Sequence, residues 1–158
     1  YGSRLEDLHF TPEDLYRLVS QHASPFAFMN ESKADFEKLE SGYQSDMASA
    51  QNLQPEFANQ SVAAFILPDE PWARRVSGVY SNDLAIANPD RAHAVLTCKT
   101  DGGYLVSVRA PLNNKQGAAQ LCMQFPTGGG RAAAAGINDL PADRLDDFVE
   151  AFSVTYGN

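Results

Sequence analysis

The sequence predicts an α/β fold, with a mixed β-sheet flanked by helices and preceded by a helical linker arm. Three observations carry that expectation. Short apolar runs at 62–67, 92–98 and 104–109 read as strands. Segments with apolar residues at helical spacing lie between and after them. The first 55 residues show helical patterning only. This divides the chain into an arm, 1–55, and an α/β body, 60–158.

Thr11-Pro12-Glu13-Asp14 is a helix start. Threonine can cap, proline suits the first helical position, and the acids face the positive helix end. Leu15, Leu18, Val19 and His22 follow on one face, and Ser24-Pro25 is expected to break the helix. A longer helix is expected from about Asn30 to Ala50. Its apolar stripe of Phe36, Leu39, Tyr43, Met47 and Ala50 is narrow, as in a connector that packs along one side. That stripe leaves room for a second copy, so a homodimer is an open expectation. Polar residues 52–60, with Pro55, form a loop.

The body opens with Val62–Leu67, a continuous apolar run stopped by Pro68 and so a strand buried on both faces. Val76, Val79, Tyr80, Leu84 and Ala87 give a helix ending at Asn88-Pro89. Residues 92–98 are a second strand and Asp101-Gly102-Gly103 a hairpin turn. Tyr104–Arg109 is a third strand. A helix over 114–124, a flexible loop at Thr127–Gly130, a fourth strand over 132–138 and a final helix opened by Pro141 complete the chain.

The net charge of −8 narrows the classes of partner. An acidic surface repels nucleic acid over long distances, so any anionic ligand needs a local cluster of positive groups. Two cysteines outside any CxxC pair are too few for a disulfide framework and fit a reducing compartment. No apolar run approaches the roughly 20 residues that cross a bilayer. The N-terminus lacks a signal pattern. A cytoplasmic protein without a membrane partner is expected. The chain opens at Tyr1, which reads as a processed protein or a piece of a longer one.

Two stretches are candidates for chemistry. Gly128-Gly129-Gly130-Arg131 costs backbone entropy, and such runs are useful where bare backbone must approach a ligand. Successive N–H groups could form a concave anion site, and Arg131 adds a phosphate-shaped fork. A plain tight turn is the other reading. In Val106-Ser107-Val108-Arg109 the strand period puts Ser107 and Arg109 on one face with Leu105, able to bond one anion together. An arginine in a surface ion pair is the alternative. Such strand-end positions tend to converge at a crevice, with Asn113, Asn114 and Lys115 between them.

The remaining candidates are weaker. Arg74-Arg75 reads as a solvated face, and Trp72 as a packing residue that could also stack on a base. His9, His22 and His93 are scattered and form no zinc pattern. Asp83 and Asp90 lack the grouping of a two-metal hydrolase. Cys98 and Cys122 read as small buried residues. His93 and Cys98 lie five apart on one strand and point to opposite faces. No catalytic residue and no metal ligand is assigned to the chain.

The run from Ser107-Val108-Arg109 through a helix to Gly128-Gly129-Gly130-Arg131-Ala132-Ala133-Ala134-Ala135-Gly136-Ile137 resembles the DHH-associated C-terminal domain of DHH-family phosphoesterases. The family pattern is an S-x-R strand, a helix, then GGGH-x-x-A-A-G-F. The resemblance covers about 60–152, and the preceding arm is similar to the linker between the two lobes. It implies a substrate-binding lobe of a metal-dependent phosphoesterase. The chemistry would come from an N-terminal lobe that is not in this sequence and that holds manganese or magnesium. It also implies a phosphate-containing small molecule or a short single-stranded nucleic acid as partner, held by Ser107, Arg109, Gly128, Gly129, Gly130 and Arg131. Arginine stands at 131 where the motif has histidine, which keeps anion binding but removes proton transfer. A stand-alone anion- or nucleotide-binding module and a structural or dimerisation domain are the competing classes.

Overall fold

The computed structural model describes residues 4–157; residues 1–3 of the arm and Asn158 at the end of the body lie outside the described residues. Among the described residues the arm holds a 3-10 turn at Leu5–Asp7 and three α-helices: α1 (Pro12–Val19), α2 (Pro25–Glu31) and α3 (Lys33–Gln51). Thr11 caps α1 as expected, accepting from the Asp14 N–H at 3.1 Å. Ser24-Pro25 does more than break a helix. Ser24 accepts from the Ala27 N–H, and Pro25 opens α2, which the sequence reading missed.

The body holds a six-stranded mixed sheet: β1 (Phe57–Ala58), β2 (Val62–Leu67), β3 (Ala92–Cys98), β4 (Tyr104–Arg109), β5 (Gly128–Arg131) and β6 (Ala134–Leu140). The order is β1-β2-β3-β4-β6-β5. Only the β2–β3 pair is parallel, joined by the crossover helix α4 (Pro71–Ala87). Helix α5 is shorter than expected, Ala118–Cys122, because Gly117 at φ 94° starts it. The last helix, α6, runs from Leu145 to Tyr156 after one 3-10 turn at Ala142–Arg144.

The two sheet faces are covered differently. One face packs Val62, Ala94, Leu96, Val106, Val108, Ile137 and Leu140 against α5 and the stacked Phe148 and Phe152 of α6. The other buries Ala63, Phe65, Leu67 and Val95 under Val76 and Tyr80 of α4 and Met47 and Ala50 of α3. That second cluster contains residues of β2 and β3 but none of β4, β5 or β6.

Two sequence expectations are corrected here. The run Gly128–Arg131 is not a flexible loop but strand β5, paired with β6 through a two-residue hairpin turn. Its glycines mark close backbone approach. A Cβ at Gly128 would lie 1.8 Å from the Cys122 carbonyl oxygen, and one at Gly130 would lie 2.5 Å from the Ala135 Cα. Arg74 and Arg75 do not sit on a solvated face. Arg74 grips Asp7 at 2.6 Å and also Asp69, while Arg75 grips Asp46 of α3 at 2.6 Å. Burial against paired carboxylates fixes the start of the chain and α3 onto α4. No helix among the described residues is long and apolar enough to cross a membrane.

Candidate functional site

Directly paired residues on antiparallel neighbours share a sheet face. The register therefore sets His93, Arg109, Ala134 and Arg131 in one row across β3, β4, β6 and β5. The next row along the same face is Val95, Ser107, Gly136 and Gly129. The two arginines thus flank Ala134 with one strand between them, roughly 10 Å apart at the backbone given a strand spacing of about 4.8 Å. Both point to the face that α3 and α4 leave uncovered beyond β3.

Side-chain contacts confirm the shared face. Arg109 Nη1 donates to Ser107 Oγ at 2.8 Å, and Nε donates to Asn82 Oδ1 of α4 at 2.9 Å. Ser107 and Arg109 are half-buried and Arg131 is exposed. Among the described residues, the arginines in ion pairs are Arg4, Arg17, Arg74, Arg75 and Arg144; neither Arg109 nor Arg131 is paired with a carboxylate. The pKa of Arg109 is drawn below its ordinary value, first by burial and then by the charge of Arg131. A half-buried cation beside another cation, with no anion in reach, is a position that a bound anion would relieve.

The floor between the arginines is small. Ala134, Gly136 and Gly129 present little or no side chain, and a Cβ placed on Gly129 would meet nothing within 4 Å. The three glycines therefore differ: Gly128 and Gly130 are demanded by packing, whereas Gly129 leaves the open face bare. The expectation of a nest of successive N–H groups is corrected by the strand geometry, since neighbouring amides of a strand point to opposite sides. What shares this face is the two arginines, Ser107 and a flat floor.

Other candidates fall elsewhere. Asn113 and Asn114 line a separate polar cavity with Asp90, and Asn113 donates to Asp90 at 2.6 Å. Lys115 is exposed beside them in sequence. Trp72 is half-buried and donates to Glu70. Among the described residues no three His, Cys, Asp or Glu come together as a metal site needs. The metal that the resemblance implies is expected in the other lobe, and no reaction step is assigned to these residues through a metal. Sequence reading missed Asn82 and His93 as neighbours of Arg109; only the strand register and the course of α4 reveal them.

The fold and site thus define a mixed-sheet α/β domain with an open, arginine-flanked sheet face. No protein-family model matches the sequence, and no curated protein matches it. Solved structures share the fold. An exopolyphosphatase-related protein from Bacteroides fragilis matches with a TM-score of 0.53 at 17% identity, over 92% of this chain and 38% of that one. The C-Ala domain of Aquifex aeolicus alanyl-tRNA synthetase matches with a TM-score of 0.52 at 14% identity, over 67% of this chain and all of the domain. A DHH-domain protein of the s1p family of ribosomal proteins matches with a TM-score of 0.50 at 14% identity, over 80% of this chain and 32% of that one. The chain therefore spans little more than a third of the first of these proteins. Its fold is one it shares with DHH-domain proteins, as the motif resemblance implied.

Proposed function

We propose that this chain is the substrate-binding lobe of a DHH-type phosphoesterase, gripping a phosphate while the metal-dependent chemistry belongs to a separate lobe. The observation that carries this reading is the row Arg109–Ala134–Arg131, two guanidinium groups over a small floor with no carboxylate paired to either. A phosphate above Ala134 would accept from both forks and from Ser107. Gly129 and Gly136 let it approach the sheet. Asn82 fixes the Arg109 fork from one side, so that the charge is oriented before the ligand arrives. Arg131 supplies charge and bidentate bonding. Arginine has donors only and no acceptor lone pair, so the position is assigned no part in proton transfer.

The net charge of −8 agrees with a compact grip in place of a broad basic surface. The expected ligands are phosphate-containing small molecules or short single strands. Calorimetric titration with inorganic pyrophosphate and with a short oligonucleotide tests the reading. Arg109→Ala is expected to weaken binding by at least tenfold, in line with about 1.5–3 kcal/mol for a hydrogen bond to a charged group. Equal affinity for the original protein and for Arg109→Ala would remove the proposal.

A further inference from the structure

A second cavity, of about 410 Å3, lies at the end of the sheet where β2 and β3 begin and β4 finishes. Ser61 precedes β2, Asp90 precedes β3, Asn113 and Asn114 follow β4, and Thr155 and Tyr156 end α6; all six line the cavity. The two residues of α6 place it on the helix-covered side of the sheet, away from the arginine row. Neither Arg109 nor Arg131 lines it.

The loop that carries the asparagines is held in place. The Asn113 N–H donates to the Pro89 carbonyl at 3.1 Å, the Asn114 N–H to the Pro111 carbonyl at 3.0 Å, and the Gln116 N–H to the Asn114 carbonyl at 2.8 Å. The side-chain amide of Asn113 donates to Asp90 Oδ1 at 2.6 Å. That bond uses the amide nitrogen and leaves the Asn113 amide oxygen as an acceptor. The Thr155 hydroxyl spends its proton on the Ala151 carbonyl at 2.8 Å, so its oxygen too is left to accept. The site is thus set before a ligand arrives.

Its charge is one-sided. Among the described residues no lysine or arginine pairs with Asp90. Helix α6 has no basic residue in its last turn, so the partial negative charge of its final carbonyls is left uncompensated beside the cavity. Arg91 and Lys115 adjoin the lining residues in sequence, but neither lines the cavity. The charge of Arg91 bears on His93, which faces away from α6 in the row of Arg109.

A carboxylate, a helix C-terminus and several acceptor oxygens suit a ligand that brings donors and positive charge. An alkylammonium group has three donors and no acceptor. A divalent metal ion is a poorer match, because calcium takes roughly six to eight oxygens with several carboxylates among them, and Asp90 is the one carboxylate in the lining. The volume falls within the roughly 300–1,000 Å3 of small-molecule sites, so the ammonium would carry a chain. Pro111 and the Tyr156 ring supply apolar wall for its methylenes, and the ring is a surface on which a cation can rest.

The geometry points to a binding site for a short aliphatic diamine, with one ammonium seated on Asp90 and the end of α6. This site stands apart from the phosphate grip and does not depend on it. Calorimetric titration of the whole chain with putrescine, and with the uncharged butanediol of the same length, tests it at one fixed salt concentration. Putrescine is expected to bind at least tenfold tighter than the diol. Asp90→Asn is expected to weaken putrescine at least tenfold, and Asn114→Leu, which fills the cavity, by a similar factor. Both positions are exposed loop residues, so both variants are expected to melt with the original protein. Asp143→Asn removes the same charge outside the cavity and is expected to leave putrescine binding within twofold. Putrescine that fails to bind, or binds no tighter than the diol, overturns the inference. So does binding that survives Asp90→Asn or Asn114→Leu. Equal loss in Asp90→Asn and Asp143→Asn also overturns it, since the amine would then be answering the overall negative charge.

Discussion

The two faces of one sheet have been built under opposite rules. Beneath α5 and α6, every inward position of β4 and β6 is filled: Val106, Val108, Ile137 and Leu140 are at most 2% exposed and rest on Phe148 and Phe152. On the opposite side of the same strands stand Ser107, Arg109, Gly136 and Ala134, half-buried, with α4 reaching Arg109 through Asn82. The contrast teaches that β4 and β6 owe their place to one face, while the other takes little part in the core. It follows that changes on the packed face should cost stability, while changes on the open face should cost ligand.

The largest expected effect tests the packed side. Phe148→Ala removes a ring that is fully buried and stacked on Phe152, and should lower unfolding free energy by about 3–5 kcal/mol in a denaturant titration. A loss below 1 kcal/mol would mean that α6 contributes little to the fold.

The second effect concerns His93, which shares the Arg109 row but is 1% exposed. Burial, with help from the Arg91 charge, pushes its pKa down to about 4 from 6.5. The folded state therefore prefers the neutral ring. Its contribution is complete above about pH 6.5, where the unfolded chain is also neutral, and is lost as pH falls toward 4. The loss across that window is on the order of 3 kcal/mol. Denaturation curves of the original protein and of His93→Asn between pH 7 and pH 4 should converge at the acid end. Parallel curves would show that His93 titrates normally.

Arg109→Ala sharpens the comparison from the other side. Since Arg109 is held against its own charge preference, its removal should change stability by no more than about 1 kcal/mol while ligand affinity falls. Thermal melts without ligand distinguish the two: a large drop in melting temperature would make Arg109 a structural residue.

The smallest effect, at Gly129, is set against its neighbour in the same strand. Gly129→Ala meets open space and should stay within about 0.5 kcal/mol of the original protein. Gly128→Ala drives a methyl into the Cys122 carbonyl and should cost about 1–3 kcal/mol or more. Equal melting temperatures for the two variants would contradict the assignment of Gly129 to the open face.

Much of this architecture can be read from residue pattern alone, and the reasons for the misses are physical. The strands at 62–67, 92–98 and 104–109 match the structure to the residue, because apolar runs bounded by proline, glycine and asparagine carry their own limits. Strand β5 is invisible to such reading, since glycines have no side chains to alternate and only pairing with β6 defines the strand. Strand β1 is two residues long and exists by pairing with β2. Ser107 and Arg109 share a face by the strand period, which is local information. The alignment of Arg109 with Arg131 depends on β6 lying between β4 and β5, which is not. Arg74 and Arg75 were misread because their carboxylates, Asp7 and Asp46, lie 67 and 29 residues away.

The sheet is also finished at its borders in a way that concerns the protein's behaviour at high concentration. A free border strand offers unpaired amides and carbonyls to any passing chain, and long, flat, β-branched borders invite fibrillar association. Here one border is the two residues of β1, and the other is Gly-Gly-Gly-Arg, short, poor in β propensity and tipped with a charge. Gly129 leaves the sheet face bare, and the run of glycines to which it belongs makes the sheet's border a poor template for self-assembly.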